Sequence, residues 1–365
     1  MQSPLYSIPR PDPHVKVLLP CLVTLATLVA APARAQAVLG FGDDATTPQR
    51  GTVRLGFENI WTRFDQRFEA TSGASITTQS QVRTTPVTVE IGLLDRLTIG
   101  GRLPSLGTKV IATYFPDTAR AIHADSVREF DQTYIGDSEV WAKLVWLGNL
   151  PERQRVRPRG FHVRSAVTAL ARIGTGQPAP PMQQFGTGTG TGATALELRS
   201  QWDVLVGSRF WASVVGRYGH RFADQLLVRV APVGDPFATD VGPVEASRQL
   251  GDYYEIEATP RLVLGQYFSI GAQYRYRYKL RDEYTAVSPG TSPDPSILDA
   301  GSDIKDQRVG FGVVYSSVAA REERHAAFPA EVFFRYFRTV SASGVHPSPS
   351  EYAVGVRIWG RLWGR

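Results

Sequence analysis

Cysteine is almost missing from this chain: Cys21 is the single one among 365 residues. No disulfide framework can hold the fold. Long apolar runs are scarce too. The longest, 17–31, is short for a membrane span and is interrupted by Pro20, so a bundle of transmembrane helices is excluded. A strong charge of one sign is also lacking, since 40 basic residues face 34 acidic ones. That balance argues against nucleic acid as a partner. What remains is 42% apolar and 10% aromatic, with 34 Gly and 25 Pro spread along the chain. A disordered chain would not carry that much apolar and aromatic side chain.

The first segment reads as an address rather than as fold. Arg10 and Lys16 precede the apolar run, and Ala33-Arg34-Ala35 has the small-x-small form of a secretory cleavage site. Residues 1–35 are therefore expected to be a signal peptide, followed by a short periplasmic amino-terminal segment, 36–51, and one body, 52–365. Cleavage removes Cys21.

Past residue 50 the apolar positions recur with period two. Phe268, Ile270, Ala272, Tyr274, Tyr276 and Tyr278 alternate with Ser269, Gly271, Gln273, Arg275, Arg277 and Lys279. One face is greasy and the other polar. Equivalent alternation predicts twelve strands, at 52–64, 86–94, 97–104, 134–147, 160–173, 194–206, 209–222, 252–264, 267–279, 305–316, 329–340 and 351–363. The run 110–115 either extends the third of these or starts a loop hairpin. Long and tight connections alternate, with tight turns at Asp95-Arg96, Gly207-Ser208 and Gly265-Gln266. Loops sorted this way describe an all-β chain forming a transmembrane antiparallel up-and-down β-barrel of about 12 strands in the outer membrane of a Gram-negative-type bacterium.

In such a barrel the arginine-bearing face lines a wet lumen, because a dry core would not tolerate it. The inward positions are Arg54, Arg102, Lys143, Arg164, Arg199, Arg217, Arg261, Arg275, Arg277, Arg308, Arg335 and Arg357, with Glu90, Glu139, Glu255 and Glu257. Arg172, Arg221, Arg361, Glu58, Glu197, Asp203 and Glu331 share that phase, which leaves a basic surplus. Register across three-residue turns sets Glu90 opposite Arg102, Glu257 opposite Arg275 and Glu255 opposite Arg277. Trp61, Tyr218, Tyr254, Tyr278 and Tyr352 fall at the outer ends of lipid-facing strands, and Trp146 and Tyr315 at the inner ends, as two interfacial belts require. Pro260 removes a ladder donor from a strand that has no edge, so a bulge or a lapse in pairing is expected there.

The stretch Val89-Glu90-Ile91-Gly92-Leu93-Leu94-Asp95-Arg96-Leu97-Thr98-Ile99-Gly100 resembles the glycine-spaced hairpin of the outer-membrane transporter family named after the meta-pathway of phenol degradation. Ile135-Gly136-Asp137-Ser138-Glu139-Val140 resembles the Gly-Asp strand start of that family, and Arg172-Ile173-Gly174-Thr175-Gly176 its next loop. The resemblance spans about 50–220 and implies passive uptake of small, often aromatic, molecules. Long-chain fatty-acid channels are a more distant comparison. They carry an amino-terminal plug, which 36–50 is too short to build.

The functional expectation is a channel or passive transporter for small polar or anionic solutes, some of them aromatic, through an Arg-rich lumen. One alternative is a structural or adhesive barrel with a plugged lumen and surface-binding loops. Another is a lipid hydrolase built on His220, the one histidine at a lipid-facing strand position, although no carboxylate is evident to orient its ring. His162 lacks His or Cys neighbours for a metal. No cofactor is expected. The partners expected are outer-membrane lipids, small solutes and the barrel-assembly machinery.

Overall fold

A computed structural model of the chain describes residues 42–69, 75–115, 126–148, 158–181, 188–230, 243–322, 328–343 and 349–363. The expected signal peptide lies outside them. Sixteen strands follow in order: β1 (Thr52–Glu69), β2 (Ser75–Leu94), β3 (Leu97–Phe115), β4 (Ser126–Ile135), β5 (Ser138–Gly148), β6 (Phe161–Ile173), β7 (Ala195–Val206) and β8 (Phe210–Arg221). Then come β9 (Asp224–Arg229), β10 (Pro243–Gln249), β11 (Tyr253–Leu264), β12 (Phe268–Lys279), β13 (Glu283–Ala286), β14 (Ile304–Ser316), β15 (Ala330–Ser343) and β16 (Ser350–Arg361).

Twelve staves close on themselves. Each neighbour pair is antiparallel, and β16 returns to β1 with Arg361 opposite Thr52. β4 and β5 together make one stave, since both pair with β3 and only Gly136 and Asp137 separate them. Closure leaves no free edge, which is what a sheet in hydrocarbon requires. All twelve strands read from period two are present. The first four staves run longer than their alternation suggested: 110–115 extends β3, and most of the loop expected after β1 is strand.

Side chains sort as the pleat dictates. In β7, Leu196, Leu198 and Trp202 are exposed outward, whereas Glu197, Gln201 and Asp203 are buried inward. Glycines make room for the inward aromatics. A Cβ on Gly100 would collide with the indole of Trp141, and one on Gly219 with the ring of Tyr253, so each ring lies flat over a neighbouring strand's bare backbone. Pro260 sits opposite Ala212 of β8, and pairing with β12 lapses between Ala258 and Arg261. That lapse accommodates the missing amide.

Three features were not foreseen. A small sheet of β9, β10 and β13 caps the outer end, in the order β13-β10-β9, and is tied down where Arg248 donates to Asp224 and to the Thr191 carbonyl. The Glu90–Arg102 pairing expected from a three-residue turn is displaced: a two-residue turn between Leu94 and Leu97 and a bulge between Gly92 and Leu94 together set Glu90 opposite Gly100 on β3, and on its other side Glu90 faces Arg54 of β1. Lastly, residues 42–47, read as part of a periplasmic segment, run up inside the barrel.

Candidate functional site

The lumen is built from the polar half of each alternating strand, so its chemistry follows from register. Directly opposed residues share a face, and long side chains then reach one or two strands further. Arg54 pairs with Glu90. Arg172 forks onto Glu139 at 2.8 and 3.1 Å, with Arg102 3.8 Å away from the same carboxylate. Arg335 meets Glu58 at 3.1 Å and Glu351 at 3.8 Å, and Arg357 stands 3.8 Å from Glu58. Arg308 donates to Asp306 at 2.7 Å. Deeper in the wall, Arg164 clasps Asp203 at 2.5 and 2.8 Å, and Arg261 donates to Ser213 at 2.7 Å.

Glu255 lies opposite Arg277, and Glu257 opposite Arg275, as the three-residue turn predicts. Their side chains choose other partners. Both carboxylates bind Arg217, the second at 3.0 Å. The freed guanidiniums cover aromatic faces instead: Arg277 lies 4.7 Å from the Tyr253 ring centre and Arg275 lies 5.5 Å from that of Phe337, a contact that suits a flat cation in a confined space.

Across this wall runs the amino-terminal strap, 42–47. Its Asp43 carboxylate accepts from Arg199 at 3.1 Å, Lys143 at 3.3 Å and Gln201 at 3.4 Å, with Arg217 at 3.8 Å. Its backbone is held as well. The Asp43 amide donates to Glu257 at 3.2 Å, the Ala45 amide to Asp203 at 3.1 Å, and Lys143 donates to the Asp44 carbonyl at 2.6 Å. Lower down, the Thr47 hydroxyl reaches the carbonyl of Asp95 in the first tight turn. A strap of a few residues thus bridges four staves. Asp43 gathers the cations of the wall, while the Asp44 carboxylate folds the strap on itself by accepting from the Thr46 amide and hydroxyl at 2.9 and 2.6 Å.

Above the strap is a cavity of about 400 Å³. Among the residues expected to line the lumen, Arg102, Arg199, Arg217, Arg275, Arg277, Arg335, Arg357, Glu139, Glu255 and Glu257 bound it, and Arg172, Asp43, Glu58, Glu197 and Glu351 join them. Eight arginines therefore face seven carboxylates, a smaller basic surplus than the strand phase alone suggested. Arg54, Lys143 and Glu90 bound a second hollow of about 130 Å³ beside the strap. Arg164, Arg261 and Arg308 bound neither. The sequence reading missed Asp43 and Glu351, and also Trp141, Tyr253 and Phe337, whose rings put apolar area into a charged wall.

His220 differs from its sequence reading. Asp252 does orient it, accepting from Nδ1 at 2.9 Å while the Tyr218 hydroxyl donates to the same carboxylate at 2.7 Å. Among the described residues no serine or threonine hydroxyl bonds the ring, so a nucleophile is missing from the cluster. In the loop after β12 the carboxylates are bonded within the protein. Asp282 accepts from Lys279 and the Gly251 amide, and Asp299 from the Tyr284 amide. No cluster of His, Cys, Asp and Glu suited to a metal ion occurs among the described residues.

No family model matches the chain, and no curated protein matches it by sequence. Solved structures do resemble it. The COG4313 outer membrane channel from Pseudomonas putida F1 superposes with a TM-score of 0.57 at 12% identity, over 88% of this chain and 100% of that one. The likeness is one of fold. The transport unit of the autotransporter AIDA-I from Escherichia coli (TM-score 0.41, 11% identity, 92% and 97% covered) and the CymD monoaromatic hydrocarbon channel (TM-score 0.35, 9% identity, 92% and 98% covered) are looser matches. This is an outer-membrane β-barrel.

Proposed function

We propose that this barrel is a narrow outer-membrane channel for small polar and anionic solutes, aromatic carboxylates among them. The observation that carries the reading is the cavity above the strap, polar-walled, with eight arginines to seven carboxylates. A wall of charge pairs replaces the hydration of a passing solute piecemeal, and guanidinium forks favour carboxylate and phosphate groups. Arg277 over Tyr253 and Arg275 over Phe337 set a cation beside an aromatic face. A benzoate-sized anion could use both together. The resemblance to the phenol meta-pathway transporter family supports the same solute size and the aromatic preference.

Proteoliposome swelling tests this reading. Small anions such as benzoate and acetate should enter faster than cations of equal size, and oligosaccharides should be excluded by the strap. Equal entry of cations, or no swelling with any solute, would contradict it. A closed structural barrel is the second reading, favoured by the strap itself. It predicts no swelling for the intact chain and none after removal of residues 36–47.

A further inference from the structure

We propose that the outward face of β15, β16, β1 and β2, near the outer end of the barrel, binds the phosphate-bearing headgroup of an outer-leaflet glycolipid. The proposal rests on the barrel's place in the outer membrane and not on its conducting solutes. Register draws the site. Tyr336, Tyr352, Trp61 and Arg83 are successive partners around the wall, and one step further out Arg338, Ser350, Arg63 and Gln81 form the next row, which ends at β3, where Lys109 faces Asp131 of β4. The lower row is an aromatic belt, with the Tyr336 and Tyr352 rings 4.9 Å apart. Each cation thus neighbours a belt ring, Arg83 opposite Trp61, Arg63 two residues beyond Trp61 and Arg338 two beyond Tyr336, and rings of this kind mark the edge of hydrocarbon, beside which lipid phosphates lie.

Three of these cations, Arg63, Arg83 and Arg338, are open to a ligand. Arg63 is 58% exposed and its nearest carboxylate, Asp65, is 3.9 Å away and as open to solvent. Arg83 donates to the neutral amide of Asn59 at 3.0 Å, and Arg338 is exposed. Lys305 on β14 lies further out, opposite Ser343, and 5.5 Å from the Tyr278 ring centre. The rest of the circumference is different. Outward positions of β6, β7, β8, β11 and β12 carry no lysine or arginine, only apolar, small and aromatic residues with His220 and Pro260. A general attraction for anionic lipid would not need the charge confined to one flank. Arginine forks over a ring belt fit a headgroup with fixed phosphates on a sugar.

The test uses the full chain, purified in detergent, with four probes: bisphosphorylated lipid A, the same lipid after enzymatic dephosphorylation, phosphatidylglycerol, and inorganic phosphate. Binding is read by titration and by native mass spectrometry. Lipid A should bind at least roughly tenfold more tightly than any other probe, and the Arg63→Gln, Arg83→Gln, Arg338→Gln triple variant should lose roughly 10- to 100-fold of that affinity. His220→Gln, on the opposite flank, should leave it unchanged. Heat-modifiable gel mobility reports whether the variants fold, and the wild-type comparison of phosphorylated with dephosphorylated lipid A decides the matter even if the triple variant does not. Equal binding of those two lipids, a triple variant that binds like the wild type, or a match by phosphatidylglycerol or inorganic phosphate would overturn the proposal. A barrel that conducts yet fails these arms loses this site alone.

Discussion

Replacing Asp43 with alanine should loosen the strap that crosses the lumen. The carboxylate accepts charge-assisted hydrogen bonds from Arg199 and Lys143 and a neutral one from Gln201, with Arg217 close by. Bonds to charged groups are worth about 1.5–3 kcal/mol each, but these are not independent. Arg199 keeps Glu197, Arg217 keeps Glu255 and Glu257, and Lys143 keeps the Asp44 carbonyl. The net loss should therefore be about 2–3 kcal/mol, below the ~3–5 kcal/mol for stranding a buried partner. That raises the population with the strap displaced by roughly 30- to 150-fold. In single-channel recordings Asp43→Ala should show wide-open events far more often than the wild type, with stronger anion preference because a carboxylate has left the cavity. Opening frequency and selectivity equal to the wild type would refute the reasoning.

Asp203→Ala takes the acceptor from Arg164 and from the Ala45 amide, so urea unfolding in lipid vesicles should show a loss of about 3 kcal/mol. A loss under about 1 kcal/mol would mean that the pair is not desolvated. Asp137 accepts from the Gly176, Thr191 and Gly192 amides and the Thr191 hydroxyl. Asp137→Ala should thus speed hydrogen exchange at 188–192 while leaving β6 and β7 protected. At Asp252 burial pushes the carboxyl pKa up, but hydrogen bonds from Tyr218, His220 and the Arg221 amide outweigh it, leaving the value below the ordinary one. A depressed carboxylate stabilises the fold above its unfolded pKa and loses that stabilisation as pH falls through the folded value. Wild type should therefore be more stable than Asp252→Asn at pH 7, and the difference should disappear in titrations carried well below pH 3.8, the ordinary value.

The staves were legible because alternation is strict where lipid meets one face and water the other. The stretch from Phe268 to Tyr278 shows both faces in a single run. Local register was legible wherever the turn was regular, which is why Glu255 and Glu257 fall opposite Arg277 and Arg275. Glu90 was misplaced by two residues, one because the turn between Leu94 and Leu97 is of two residues where three were assumed and one because of the bulge between Gly92 and Leu94, which nothing in Gly92-Leu93-Leu94 announces. The strap was hidden for a different reason. Residues 42–47 have no periodicity, and the sole clue was that the doublet Asp43-Asp44 precedes a wall rich in arginine. His220 and Asp252 are 32 residues apart, and they meet only because β8 and β11 are neighbours despite the two loop strands between them.

The reversal potential of the intact barrel in a planar bilayer, under a gradient of potassium chloride, bears most directly on the central claim of a charge-lined passage. A small conductance with a reversal potential displaced toward the chloride equilibrium value is expected. Displacement toward the potassium value, or a bilayer that stays silent, would contradict the account.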